Sequence, residues 1–350
     1  MPDPITITRS KHEIVTARGT INVGIVGFGK MGQIRFDAVM RTGRGRVVAV
    51  ADPDRAKFKR LSRVRMYTEG HDLIQDPSVE AVFICTPNYQ NRPLTIQALR
   101  AGKHVFCEKP PAFTASEVEE IIAAENASGK KLMYGFNHRH HESVKKAKEL
   151  VDSGAYGRIL WMRGRYGKSV DQSFYGDWRS KKEFAGGGIM LDQGIHMLDL
   201  FLMLGGDFEE VHAFVSNLYW KLDVEDNVFA TFRNRNGIVA SLHSTMTQWR
   251  HLFSLEIFLE KGYIVINGLL TPSGTYGAEA MTIAKNRTTA PAATWSDEEH
   301  ITFEIDNSWA SEIENFFDAI KSDMPVSVGT SSDALRLMRL IDKIYRRMSL

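Results

Sequence analysis

Cysteine is scarce in this chain: two residues, Cys85 and Cys107, in a length of 350. That excludes a disulfide framework of the small secreted kind and any thiolate-rich zinc site. Both fall in apolar, strand-like runs, where the buried, reduced thiols of a cytoplasmic protein are expected. Net charge is lacking too. Lys and Arg total 44 against 42 for Asp and Glu, a balance of +2, so no global attraction draws the chain to nucleic acid or to an anionic membrane. No apolar run reads as long enough to cross a bilayer. Residues 1–19, Thr-rich and mixed in charge, lack the apolar segment of a signal peptide. They read as an N-terminal arm that packs on a neighbour or stays loose. Internal repeats and long low-complexity segments are missing as well. So is metal-ligand spacing. His138-Arg139-His140-His141 is dense in imidazole, but neighbours in one turn cannot all face one ion, and no HExxH or CxxC accompanies them. No metal is expected.

What is present has the balance of a soluble globular protein, 43% hydrophobic and 25% charged. Single cores rarely grow beyond ~250–300 residues, so the length predicts two domains. Ile21 to Val26 is a β-branched run that ends in Gly27-Phe28-Gly29-Lys30-Met31-Gly32, and a helical pattern follows. Strand, GxGxxG and helix in that order form a dinucleotide-binding turn. The first glycine makes the turn, the second lets backbone N–H groups approach a pyrophosphate, and the third lets helix pack on strand. A second apolar run ends at Asp52, 20 residues past Gly32. A carboxylate there accepts hydrogen bonds from the adenosine ribose and repels a 2′-phosphate, which favours NAD over NADP. Arg55 and Lys57, just beyond, soften that preference; the basic run from Arg55 to Arg65 otherwise reads as one solvated helix face.

Strand–helix alternation continues through Ala81 to Cys85, ending in Thr86-Pro87-Asn88, and through Val105 to Cys107, ending in Glu108-Lys109-Pro110. A helix starts near Ser116, with Glu119 in the capping-box position, and Leu132 to Phe136 makes one more strand. The expectation is a doubly wound parallel sheet over 20–138, with ligands at the carboxyl ends of its strands. After 138 the pattern changes to long alternating runs between 210 and 267, with hairpin turns at Asn236-Gly237 and Lys261-Gly262. Residues 139–330 are expected to form an α+β domain with a large open, mostly antiparallel sheet, whose uncovered face makes a homodimer or homotetramer. Residues 271–300, rich in Thr, Ala, Gly and Pro, read as a long excursion, and the final helix, 331–350, as packing back on the first domain.

One stretch is unusual. Residues 186–199 open with three glycines and continue into an apolar helical pattern that carries Asp192, His196 and Asp199 at steps of four and three. That spacing puts them on one helical face. A polar seam on an apolar helix is costly without a partner or a purpose. The plain reading is a core helix in which Asp192 and His196 satisfy each other.

GFGKMG, the EKP at 108–110 and GGGIMLDQGIHMLD together resemble the Gfo/Idh/MocA family of sugar dehydrogenases and ketoreductases, over roughly residues 20–350 in order and spacing. The resemblance implies a bound nicotinamide cofactor held by Gly27, Phe28, Gly29, Lys30, Met31, Gly32, Asp52, Thr86, Pro87, Asn88, Glu108 and Lys109. It implies a carbohydrate substrate and a catalytic set of Lys109, Asp192 and His196. Lys109, before a Pro110 whose bond is often cis in the family, would hold the substrate oxygen. His196 is the better base because imidazole titrates near neutrality, with Asp192 orienting it. Asn137, Arg139, Tyr166, Trp178, Arg179 and Gln193 are further candidates for sugar contacts. The three glycines read as a close approach to cofactor or substrate, and Asp199 as support. Two rivals remain: a glycosidase that oxidises its sugar transiently on bound NAD, and a cofactor-binding regulator without turnover.

Overall fold

The computed structural model describes residues 19–59, 61–285 and 293–346. Most of the predicted N-terminal arm, Arg60, the middle of the 271–300 segment and the last four residues lie outside them.

Short runs of β-branched residues build the first sheet. Its strands are β1 (Ile21–Val26), β2 (Gly45–Ala51), β3 (Arg65–Tyr67), β4 (Ala81–Ile84), β5 (His104–Glu108) and β6 (Leu132–Gly135). They lie in the order β3-β2-β1-β4-β5-β6, and every pair is parallel. The central strands are buried on both faces, as helices on both sides of a parallel sheet require. Those helices are α1 (Lys30–Thr42), α2 (Gly70–Gln75), α3 (Asn91–Arg100) and α4 (Ala115–Ser128). The order of strands reverses between β1 and β4, which opens the ligand crevice at their carboxyl ends.

Two local readings change. The α4 capping box is Thr114 with Glu117, not Ser116 with Glu119. Glu117 also accepts from the Phe113 N–H, so the turn begins two residues earlier than the spacing of Ser116 implies. The basic run is not one helix face either. Asp54 caps a single 3-10 turn, Arg55–Phe58, Phe58 buries itself beside Phe28, and the chain then forms edge strand β3.

The second sheet follows α5 (Glu142–Asp152). It contains β7 (Ile159–Ser169), then, after α6 (Lys182–Ala185) and α7 (Ile195–Gly205), β8 (Glu210–Ser216), β9 (Asn227–Arg233), β10 (Val239–Thr245), β11 (Thr247–Leu259), β12 (Gly262–Asn267), β13 (Glu279–Lys285) and β14 (Glu299–Phe303). The order is β14-β13-β12-β11-β7-β10-β9-β8, antiparallel except where β7 meets β10. Strand β13 falls within the long excursion expected at 271–300, and β14 begins at its end. Met281 and Ile283 supply the inward face of β13, but Ala280, Thr282 and Ala284 on the other face make a weak alternation. On one face of the sheet α7, apolar apart from His196 and Asp199, buries every residue from Ile195 to Leu202. Together with the preceding turns it forms a 24-residue helical run, Lys182–Gly205, long and apolar enough by composition to cross a membrane, a length the sequence reading missed. Its most apolar window is 78% buried inside the protein, so it serves as the core helix.

Within the stretch assigned to the second domain, α8 (Ser308–Lys321) packs on the first sheet rather than the second. Ile313, Phe316 and Phe317 join Val39 and Phe83 in one apolar cluster. The last helix, α9 (Ser331–Tyr345), packs on α4 and β6 and equally on α7 and β8, bridging the two sheets.

Candidate active site

The nucleotide turn is built from backbone constraints. Gly27 has φ +85°, and a Cβ there would lie 2.5 Å from the Cys85 carbonyl oxygen; one on Gly32 would lie 2.0 Å from that of Gly27. Both glycines are demanded by the chain's own packing. Gly29 differs: a Cβ on it would meet nothing within 4 Å, and it precedes α1 with no side chain capping the helix. An open cradle over an uncapped helix N-terminus fits a pyrophosphate. Of the other members of the motif, Phe28 turns its ring into the core against Phe36 and Phe58, and Met31 packs on the same cluster. Lys30 is exposed at the first turn of α1. Asp52 is buried at the end of β2, where its carboxylate accepts from the Phe28 N–H at 2.8 Å and the Asp54 N–H at 2.9 Å. Lys57 reaches both of its oxygens, at 2.9 and 3.0 Å.

At the ends of β4 and β5 the side chains divide. Thr86 Oγ1 lies 3.2 Å from Asn91 Oδ1, and Pro87 starts the turn into Asn88, whose amide donates to the Ala185 carbonyl at 2.8 Å. That bond ties the nucleotide sheet to the chain just ahead of the three glycines. Glu108, expected at the cofactor, points its carboxylate into the core and accepts from Arg35 at 2.6 Å. Lys109 goes the other way. Its bond to Pro110 is cis, and its ammonium donates to the Asp192 backbone carbonyl at 2.5 Å and sits 3.5 Å from the Asp192 carboxylate.

Asp192 is the centre of a basic ring. Lys168 Nζ lies 3.0 Å from Oδ2, and Arg179 Nε lies 3.8 Å from Oδ1 on the side of Lys109. Burial alone would raise the Asp192 pKa, but Lys168, Lys109 and Arg179 together hold it well below the ordinary carboxylate range. Burial pushes the Lys109 ammonium down, against the pull of Asp192. The local backbone helps to place this carboxylate: Met190–Gly194 is a π-helical turn leading into α7. The extra residue per turn means that Asp192 and His196 do not pair as the plain four-residue spacing implied.

His196 instead lies stacked on His138, ring centroids 3.9 Å apart and planes 23° from parallel. Burial and the nearby Lys109 keep it well below its usual pKa, and its Nδ1 is buried without a partner. The result is a neutral imidazole with unspent hydrogen-bonding capacity. His138 is tied at both ends, Nδ1 to Asn137 Oδ1 at 3.1 Å and Nε2 to the Tyr166 hydroxyl at 2.8 Å. Tyr276 packs on Tyr166 and donates to Gln193 Oε1 at 3.0 Å. Asn137, Tyr166 and Gln193 thus form a polar wall beside His196. Trp178 stacks under Arg179, with the guanidinium 4.3 Å above its ring.

Other expected residues serve elsewhere. Arg139 is taken up by Asp199, at 2.6 and 2.8 Å, and by Asp333 at 3.1 Å, a bridge from α7 to α9. The glycines at 186–188 do not wait on a ligand. A Cβ on Gly186 would strike Phe113, one on Gly187 the Tyr345 hydroxyl, and one on Gly188 the Glu225 carbonyl. Their close approach is to the protein itself. Glu225, buried, accepts from the Gly188 and Met190 N–H groups and from Tyr345, and so caps the helical run. The histidine tetrapeptide disperses: His138 to Asn137 and Tyr166, His140 toward Ser311, His141 to Glu279.

Lys168, Tyr276, Glu225 and Arg35 were not singled out from the sequence, and His138 only as a member of the histidine tetrapeptide. Lys168 had a signal. It lies two residues beyond Tyr166, so one more period of strand places both on the same face of β7.

Comparison with known proteins agrees with the two-sheet fold. Residues 21–136 match the model of the oxidoreductase family with NAD-binding Rossmann fold, and residues 144–265 that of the GFO/IDH/MocA C-terminal domain. The chain is 30% identical to levoglucosan dehydrogenase of Pseudarthrobacter phenanthrenivorans over 288 residues, covering 71% of this chain and 73% of that one. It is 27% identical to inositol 2-dehydrogenase of Salmonella typhimurium over 326 residues, 90% of each. A levoglucosan dehydrogenase solved in complex with NADH superposes with a TM-score of 0.83 at 25% identity, over 93% of this chain and 96% of that one. The nucleotide-binding sheet and the second sheet are thus both matched by models of one family, and the chain belongs to the Gfo/Idh/MocA family of NAD-binding oxidoreductases.

Proposed function

We propose that the chain transfers a hydride between nicotinamide and a secondary hydroxyl or ketone of a carbohydrate: a sugar, sugar acid, inositol or nucleotide sugar. The observation that supports this most is the meeting of Lys109, from the end of the nucleotide sheet, with Asp192 and the neutral His196 from the second sheet's helix. Bound NAD would supply the hydride acceptor, seated by Gly27, Gly29, Gly32, Asp52 and the 86–88 turn. Everything else is done by these side chains. Lys109 places a positive charge against the substrate oxygen and stabilises it as it becomes an alkoxide. His196, held neutral, takes the hydroxyl proton, and reduction returns it. Asp192 stays ionised and fixes Lys109 and Lys168 in place. Trp178, Arg179, Asn137, Tyr166 and Gln193 line the same site and suit C–H faces and hydroxyls. Arg139 is assigned a structural role, because its charge is spent on Asp199 and Asp333.

Absorbance at the reduced-cofactor band during a screen of polyols, uronates and nucleotide sugars tests the reading. Steady NADH formation or consumption is expected. NAD binding without turnover across the panel would make the chain a regulator, and free-sugar release without net NADH would make it a glycosidase. The outer face of the second sheet, where Trp161, Phe258 and Tyr263 stack in one row and Phe214 and Phe229 stand exposed, is assigned to a second copy of the chain. Light scattering at micromolar concentration should return a dimer or tetramer mass; a monomer would refute it.

A further inference from the structure

The Asp52 carboxylate is already saturated by the chain. A carboxylate offers about four lone-pair positions. Here Oδ2 accepts from the Phe28 N–H and from Lys57, and Oδ1 from the Asp54 N–H and from Lys57. The two backbone donors are fixed by the turn itself. Lys57 is the replaceable one: its side chain is 35% exposed, while that of Asp52 is 5%. A ribose diol that approaches this carboxylate must therefore take the place that Lys57 holds, and the displaced ammonium stays beside the ribose on a four-carbon stem.

The pairing also changes the electrostatics of selection. A lone aspartate at this strand end discriminates against a 2′-phosphate by repulsion. With Lys57 in contact, the net charge of the pair is zero and that repulsion is cancelled. Exposed Arg55, two residues before Lys57 in the same 3-10 turn, adds a second cation near the strand end. We propose that Lys57 sets the cofactor selectivity of this chain and lets it bind NADP(H) as well as NAD(H). Asp52 receives the ribose of the first, and Lys57 swings to the phosphate of the second.

Direct binding of NADH and NADPH, read by the fluorescence of the reduced nicotinamide without substrate, tests the proposal. A wrong sugar class or a wrong catalytic base leaves this readout untouched. Wild-type protein should bind the two with dissociation constants within about tenfold of each other. Raising salt from 50 to 500 mM should weaken NADPH more than NADH. Lys57→Ala should leave NADH within about threefold and weaken NADPH about tenfold, the loss of one charge-assisted contact, and Lys57→Arg should restore it. NADPH more than 100-fold weaker than NADH in the wild type overturns the proposal. So does an equal effect of Lys57→Ala on both cofactors.

Discussion

Glu108 and Lys109 are neighbours at the end of β5, yet they enter two ionic clusters of opposite construction. Glu108 turns inward to a cation caught between two carboxylates: Arg35 bonds Glu108 and Glu312 at 2.6 Å each, with the Arg35 and Glu312 side chains fully buried. Lys109 turns outward to a carboxylate caught among three cations, each partly exposed. The first cluster joins α1, β5 and α8 and is closed off by Phe106 and Trp309 stacked on the guanidinium. The second joins the two sheets across an opening. Burial without access makes an ionic group structural, whereas burial with access makes it available for chemistry. Alternation along a strand is enough to send adjacent charges to these two fates.

The largest expected effect breaks the open cluster. Lys109→Ala should lower kcat by about 10³-fold, as removal of one donor to a developing oxyanion does, and His196→Ala by a factor on the order of 10² or more. NADH affinity and Tm should stay near wild type in both. Near wild-type turnover in either would remove that residue from the proposed chemistry. The closed cluster should respond in the opposite way. Arg35→Met leaves two carboxylates buried without their cation, a loss of about 3–5 kcal/mol. It should appear as a lower midpoint in urea, with kcat per folded molecule within threefold of wild type. A kcat loss comparable to that of Lys109→Ala would mean that the two clusters act as one.

How much of this contrast the sequence carries depends on the range of each constraint. The GxGxxG turn, Asp52 and the position of Lys109 follow from local rules, because a glycine turn and a strand end each involve only a few neighbouring residues. Asp192 and His196 stood out as a polar seam, but their partners did not. The π-turn at Met190–Gly194 shifts the register between them, and it rests on Glu225, 33 residues beyond Asp192, whose capping role no local pattern announces. The three glycines were assigned to a ligand because their spacing signals close approach, and spacing does not say to what. They approach Phe113, Tyr345 and Glu225, all distant in the chain. Arg139 and Glu108 have the chemistry of site residues but spend it on Asp199 and Arg35. Side-chain type shows what a residue can bind, whereas only packing shows what it has already bound.

Lys168 sharpens the comparison from the open side. It is the nearest cation to the Asp192 carboxylate, and Lys168→Gln should lower kcat/KM about tenfold, the worth of one charge-assisted hydrogen bond. The Asp192 pKa then rises, so the acid limb of the pH–rate profile should move upward. A tenfold loss with an unmoved acid limb would place Lys168 on the substrate rather than on Asp192.

The smallest effect comes from the closed side. Burial raises the Glu312 pKa from 4.5 to about 7, against the pull of Arg35. A carboxyl whose folded pKa lies above its unfolded value favours the folded state in its protonated form. Its contribution is complete below pH 4.5 and is lost as the pH rises through about 7. Glu312→Gln keeps the neutral form at every pH. Thermal unfolding followed from pH 5 to 8 should therefore show wild-type Tm falling relative to Glu312→Gln across that interval, with the two curves parallel above it. Asp192, whose pKa is depressed, acts in the other direction: its stabilisation is present above pH 3.8 and disappears only as the pH falls below that value. The two clusters are thus separable by pH as well as by mutation. Parallel Tm curves for wild type and Glu312→Gln throughout would mean that Arg35 holds Glu312 fully ionised, making the closed cluster a tighter ion triad than its burial implies.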